Sequence, residues 1–347
     1  MKNKNYIIII LIIAMILLFV LSLFVGSSNM PFTDAIKALF GKGQNNYIVI
    51  MQKIRLPRAI ASLICGAGLA IAGLIMQTCL GNQMASPSTL GVSNAATFGA
   101  NVAIIVLSGG FLITGNNLNN YLSSAPLIPT SLLAFVFAFA SVLLILGLGR
   151  LKNMAKETII LIGVAIGSIW TALTSLLQYY SSDVSLSAAI IWSFGDLSRA
   201  NLKIDLTITI DVVVSCIFFF FMANRYNSLL SGDDVAKTQG VKVQRLRLIS
   251  LLLASLICAS IVSHLGIIGF VGLVCPHIAK KILGHNHKIL IPASLLCGSI
   301  LLVVADMLAR TIGKGSSIPV GIITSIIGAP FFLFIIFSKK GDSHAWS

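Results

Sequence analysis

The side chains of this sequence that could do chemistry are few, and most of them are cations. Arg55, Leu56, Pro57 and Arg58 stand in a row at the head of a long apolar run, and Asp306 and Arg310 stand near the end of another. Guanidinium groups bind anions or pair with carboxylates; they do not by themselves make or break bonds. Proline suits the first turn of a helix, but two cations beside it are locally unfavourable, because a helix N-terminus carries partial positive charge. Arg55 and Arg58 therefore point to an anionic partner, or to lipid headgroups as an interfacial anchor. Asp306 and Arg310, four residues apart, share a helix face. Pairing there avoids the several-kcal/mol cost of an isolated charge in an apolar interior. Asp306 is read as the structural partner that orients Arg310.

Other chemistries find no constellation. Pro276-His277 and His285-Asn286-His287 are where a metal reading could begin. Zinc needs three or four ligands in a tetrahedral array, and no further histidine or carboxylate stands nearby. No metal site is expected, and Pro276 and His277 are read as structural. A G-x-x-x-x-G-K-[ST] phosphate loop is absent; GKGSS at 313–317 lacks the spacing. No serine, cysteine or carboxylate grouping suggests catalysis. The expectation is a chain that is not an enzyme and that binds neither ATP nor another cofactor. The cysteines Cys65, Cys79, Cys216, Cys258, Cys275 and Cys297 each lie in an apolar run, where cysteine acts as a small hydrophobe.

The elements that carry these residues are apolar. Of 347 residues, 57% are hydrophobic and 10% are charged, against about 25% charged in a soluble domain. So few charges cannot cover a water-facing surface. The net charge of +14 comes from cations placed in short gaps between apolar runs. That placement indicates membrane topology and lipid contact rather than nucleic acid. Spans are predicted at 6–26, 58–79, 90–108, 128–149, 157–180, 205–223, 245–264, 266–282, 289–311 and 319–337. Runs of this length satisfy their backbone in lipid only as helices. The fold class is all-α: a polytopic membrane bundle of about ten transmembrane helices, forming a single transmembrane domain over 1–347. The first run is longer than a signal-peptide core and lacks a clear cleavage site, so it is read as a retained span.

Ten spans place both termini on one side. With that side inside, fifteen lysines and arginines fall in inner segments and nine in outer ones, five of the nine between Ser27 and Arg58. The bias supports cytoplasmic termini, with 229–246 inside and 181–204 outside. The 229–246 segment is polar, with Gly232, Asp233 and Asp234 ahead of Lys237 and then Gly240. Acids at the start and glycine at the end describe a short capped helix. The stretches 81–91 and 266–276, rich in glycine and proline, interrupt spans, as happens where helices pack closely or a solute passes.

The blocks that follow Arg55 and Arg58 resemble the FecCD permeases of ABC importers for iron chelates, haem and cobalamin. The resemblance runs through GAGLAIAGLIMQTCLGNQMASPSTLGVSNAA (66–96) and SGDDVAKTQGV (231–241). It continues through GIIGFVGLVCPHIAKKILGHNHKILIPASLLCGS (266–299), ADMLAR (305–310) and IPVGIITSIIGAPFF (318–332). Five ordered blocks over 55–337 are specific. The resemblance implies a homodimeric or heterodimeric permease of a bacterial or archaeal inner membrane. It implies two cytoplasmic ATPase subunits that use the ATP and a solute-binding protein outside. Arg55, Arg58 and Arg310 would dock that protein. Gly232, Asp233, Asp234, Lys237 and Gly240 would couple to the ATPase. Asn82 and Met84 match an inner constriction, and Lys156 and Glu157 fall on the neighbouring loop; these four could gate the pore or simply end helices. Ser231 and Gln239 depart from the family's leucines, and Asn286 and Lys288 from its acid and arginine. The competing class is a transporter driven by an ion gradient, for which Asp211, the one acid well inside a span without an obvious partner, offers thin support.

Overall fold

The computed structural model describes residues 2–26, 30–87, 89–108, 129–312 and 318–337. Among these residues the chain is all helix, apart from turns and one isolated bridge between Phe194 and Ile267. All ten predicted spans fall on helices. In chain order the helices are α1 (Lys2–Phe24), α2 (Phe32–Leu39), α3 (Asn45–Val49), α4 (Leu56–Leu80), α5 (Val92–Asn101), α6 (Thr130–Leu151) and α7 (Lys156–Tyr179). There follow α8 (Asp183–Ser193), α9 (Leu202–Phe221), α10 (Ala223–Leu229), α11 (Asp233–Thr238), α12 (Val243–Leu265), α13 (Val271–Leu283), α14 (His287–Ile312) and α15 (Val320–Phe337). Seven helices among the described residues are long and apolar enough to cross a membrane. The predicted spans at 90–108, 266–282 and 319–337 fall on shorter ones.

The bundle is built around α4. Its run is 78% buried, whereas that of α1 is 11% buried and presents isoleucine and leucine outward, as a lipid-facing helix does. Small residues let neighbouring backbones reach α4. A Cβ on Gly73 would run into the Gly272 carbonyl of α13, and one on Gly66 into the Gly298 carbonyl of α14. Such contacts replace the hydrophobic drive that lipid does not supply.

One local expectation is corrected. Arg55 and Arg58 do not flank a free helix start. The backbone runs from α3 through a π-turn, Ile50–Arg55, directly into α4, and the Leu56 amide donates to the Met51 carbonyl. Pro57 lacks an N–H and crowds the preceding turn, and a wider turn ahead of it relieves that conflict. The helix-dipole argument for an anionic partner therefore does not hold.

The interrupted segments are also explained. Pro276, inside α13, cannot donate to the Gly272 carbonyl one turn back. Gln77 Nε2 of α4 donates to that oxygen instead, at 3.3 Å, and Lys280 Nζ donates to Gln77 Oε1 at 2.7 Å. Pro276 is buried in this α4–α13 contact, and His277 is half-buried beside it.

The Lys4 ammonium donates to the Leu283 carbonyl, 2.8 Å away. Asn227 of α10 meets the backbone N–H and Nδ1 of His287 at the start of α14. The N-terminus, the α10–α11 segment and the α13–α14 turn thus lie at one end of the bundle. The GKGSS segment and the C-terminal lysines Lys339 and Lys340, used in the charge count, lie outside the described residues.

Candidate functional site: two charged helix ends and a constriction

At the end opposite α11, two arginines share one carboxylate and a third stands beside them. Arg58 Nε donates to Asp306 Oδ1 at 2.6 Å, and Arg310 Nη2 pairs with Asp306 Oδ2 at 2.8 Å. The last carbonyls of α1 have no partner within their own helix, and the arginines supply it. Arg55 Nη1 donates to the Leu23 and Phe24 carbonyls, both at 3.1 Å. Arg310 Nη1 donates to Ser22 and Val25, at 3.0 and 3.2 Å. Asp306 is fully buried, Arg55 and Arg58 are 4% exposed, and Arg310 is 7% exposed. The Asp306–Arg310 pair read from the spacing is present. Arg58, from a helix nearly 250 residues away, completes it. Arg58 and Arg310 thus share one carboxylate, and Arg55 stands beside them on the end of α1.

At the other end, α11 has the capped form expected of it. Gly240 has φ +80°, the Val241 amide reaches the Ala236 carbonyl, and the Gly240 amide reaches Lys237. This paired closure is a Schellman cap, which favours glycine at the left-handed position. Lys237 Nζ donates to Asp234 Oδ1 at 2.8 Å, which holds the exposed Asp234 carboxyl below its usual range. Gly232, also at positive φ, precedes the helix. Asp233 turns inward and takes both its oxygens to Arg247.

At the same end as α11 the structure brings together part of the expected constriction. Gly81, at φ +57°, closes α4. Asn82 Oδ1 accepts the Met84 amide at 2.8 Å, and the Met84 side chain is 45% exposed. The Lys156 side chain lies over Gly81: a Cβ there would stand 3.3 Å from Nζ. Glu157, next in α7, is exposed. A cavity of about 450 Å³ opens between α5 and α7, lined by Thr89, Asn94, Ser168 and Thr171 together with Val164, Ala172, Gly163 and Gly167. Asn94 Nδ2 holds α5 to α7 through the Gly167 carbonyl and Thr171 Oγ1, both at 3.1 Å.

His287 is buried, with Nδ1 against Asn227 Oδ1 and Nε2 against Thr78 Oγ1, each at 2.9 Å. Its ring serves as a tie between helices. Among the described residues no three histidines, cysteines or acids gather as metal ligands.

Sequence reasoning overlooked two residues here. Asp205, not Asp211, is the enclosed acid. It is 3% exposed, and neither of its oxygens has a hydrogen-bond partner among the described residues, whereas Asp211 is half-buried. Asp205 was hidden by standing at the predicted start of a span, where an acid is ordinary. Arg247 was counted only as a topological charge; its spacing from Asp233 across a glycine-capped turn was the available signal.

The FecCD transport family model matches residues 13–338. The chain belongs to the FecCD transport family. An ABC transporter permease protein of Methanocaldococcus jannaschii is 42% identical to this FecCD chain over 336 residues, covering 96% of the chain and 95% of the relative. The iron(3+)-hydroxamate import system permease of Bacillus subtilis is 32% identical, covering 92% and 93%. A solved structure described as a metal-chelate type ABC transporter in an inward-facing conformation superposes with a TM-score of 0.80 at 28% identity, covering 96% and 99%. The chain is thus a multi-pass FecCD permease, similar throughout its length to permeases of ABC transporters.

Proposed function

We propose that this FecCD permease works as one transmembrane unit over 1–347. It pairs with a second permease subunit and imports an iron chelate, haem or a cobalamin-like solute through the membrane of a bacterial or archaeal cell. ATP is hydrolysed on two separate cytoplasmic ATPase subunits. The observation that carries the energy source is α11, a short helix closed by a glycine cap at its C-terminus that presents Asp234, Val235 and Lys237 outward. A rigid, exposed knob of this kind can transmit a push, because a partner shifts an equilibrium only through contacts that differ between states. Its end of the bundle faces the cytoplasm, and so do both termini. The guanidinium groups of Arg55, Arg58 and Arg310, gathered near one carboxylate, give the opposite end a locally positive field, which attracts the acidic surface of a solute-binding protein. Arg55, Arg58 and Arg310 serve that docking. Lipid covers α1. The iron-hydroxamate relative and the metal-chelate neighbour support the solute class, and the uncharged polar wall of Asn94, Ser168 and Thr171 suits a bulky chelate.

The test is uptake of labelled ferric hydroxamate, haem and cobalamin by proteoliposomes holding the permease with its ATPase and binding protein. ATP-dependent accumulation of one of them is expected. Accumulation driven by an ion gradient without ATP would overturn the reading. For orientation, Ser231→Cys should resist an impermeant maleimide in intact cells and react after permeabilisation. Labelling in intact cells would invert the topology.

A further inference from the structure

Arg247 lies in the second turn of α12, is 3% exposed, and spends its whole fork on three separate elements. Nη2 meets Asp233 Oδ1 and Oδ2 of α11 at 2.8 and 2.9 Å. Nε donates to the Cys79 carbonyl in the last turn of α4 at 2.7 Å. Nη1 donates to the Met154 carbonyl in the α6–α7 turn at 2.8 Å. These are short, charge-assisted bonds in a planar array that a lysine ammonium cannot reproduce.

The two carbonyls are informative by position. Cys79 stands three residues before Asn82, on one wall of the constriction. Met154 stands two residues before Lys156, on the other. Met154 and its neighbour Asn153 are both at φ +55°, although neither is glycine. Backbone in that region persists only where its surroundings impose it, and Arg247 and the buried Met154 side chain supply the constraint. One guanidinium thus ties an exposed helix directly to the α4 terminus and to the α6–α7 turn.

We propose that Arg247 is the positioning residue that carries displacement of α11 to the constriction formed by Asn82, Met84 and Lys156. This rests on the reading of α11 as the ATPase contact and of Asn82, Met84 and Lys156 as a constriction. A push on α11 moves Asp233, Asp233 moves Arg247, and Arg247 moves the α4 terminus and the α6–α7 turn as one body. Asp233 is the link that solvent reaches, with a side chain 34% exposed, while Arg247 stays enclosed. The contact at α11 can therefore be remade as the ATPase moves, while the two carbonyl bonds persist.

The experiment measures solute imported per ATP hydrolysed in proteoliposomes of the full complex, supplied together with labelled ferric hydroxamate, haem and cobalamin. Arg247→Lys should lower that ratio by about tenfold, equivalent to about 1.4 kcal/mol of lost coupling. Arg245→Gln, which removes an exposed cation two residues away, should keep the wild-type ratio. A wild-type ratio in Arg247→Lys, or an equal loss in Arg245→Gln, would overturn the proposal. A structural readout covers a variant that assembles poorly. Spin labels on Lys152→Cys and Thr238→Cys should hold one narrow distance with and without ATP, and the distribution should broaden in Arg247→Lys. Unchanged width would also overturn it. Gly240→Val separates the two readings. Loss of coupling there with none in Arg247→Lys removes only the role of Arg247. Normal uptake and normal ATPase stimulation in Gly240→Val removes α11 as the ATPase contact.

Discussion

Both ends of this permease use arginine and aspartate to fasten helix ends, and they do so in opposite ways. At one end Asp306 is enclosed, shared by Arg58 and Arg310, and backed by carbonyls of α1. At the other, one enclosed arginine serves a partly exposed aspartate and two backbone oxygens from different elements. A charge pair sealed from water is costly to open, because separation strands a buried ion. A pair with one wet member can part and re-form, since water takes the place of the lost partner. The first arrangement is a rivet and the second a joint. The difference lies in the exposure of the carboxylate, not in the kind or length of the bonds.

The contrast can be broken most directly at Asp306. Asp306→Asn should destabilise the permease by about 3–5 kcal/mol, since it leaves the enclosed Arg58 and Arg310 without their counter-charge. Thermal unfolding in detergent would report it. Asp233→Asn should cost about 1 kcal/mol in the same assay, as water replaces the missing charge at a partly exposed site. Equal losses for the two would erase the distinction between rivet and joint. Asp205 sharpens it from a third side, being an enclosed acid with no arginine at all. Asp205→Asn should keep or raise stability by about 1 kcal/mol, because it removes the cost of burying a carboxylate without a partner. A large loss would mean that Asp205 has a partner in the assembled transporter. The smallest effect belongs to Lys237→Ala, whose pair with Asp234 is exposed on both sides. It should leave the unfolding temperature unchanged, because water screens an exposed pair.

The helices were legible because long apolar runs admit little else in lipid, and each predicted span lies on one. The α11 cap was legible for a similar reason. Glycine after a short polar turn that begins with acids has few structural alternatives, and Gly240 takes the left-handed conformation. Local spacing also exposed the Asp306–Arg310 pair. What stayed hidden depended on long-range contact. Arg58 meets Asp306 across most of the chain, and Arg247 reaches Cys79 and Met154 through backbone oxygens, which every residue carries. A side chain that binds carbonyls leaves no complementary letter in the sequence. The π-turn ahead of Pro57 was likewise invisible, since its cause is a clash one turn upstream, and assuming a free helix start there gave a wrong electrostatic argument.

Helix α1 is fastened at both extremities, by Lys4 to the Leu283 carbonyl and by Arg55 and Arg310 to its final turn. Between those fixed points, from Lys4 to Phe24, it rises about 30 Å at 1.5 Å per residue. A helix held only by lipid adapts to a thinner or thicker bilayer by tilting, but one pinned top and bottom cannot lean on its own. The bilayer must adjust to the protein instead. The permease thus carries its own thickness gauge on its lipid-facing flank, and membranes whose hydrocarbon depth departs from that gauge will be strained around it.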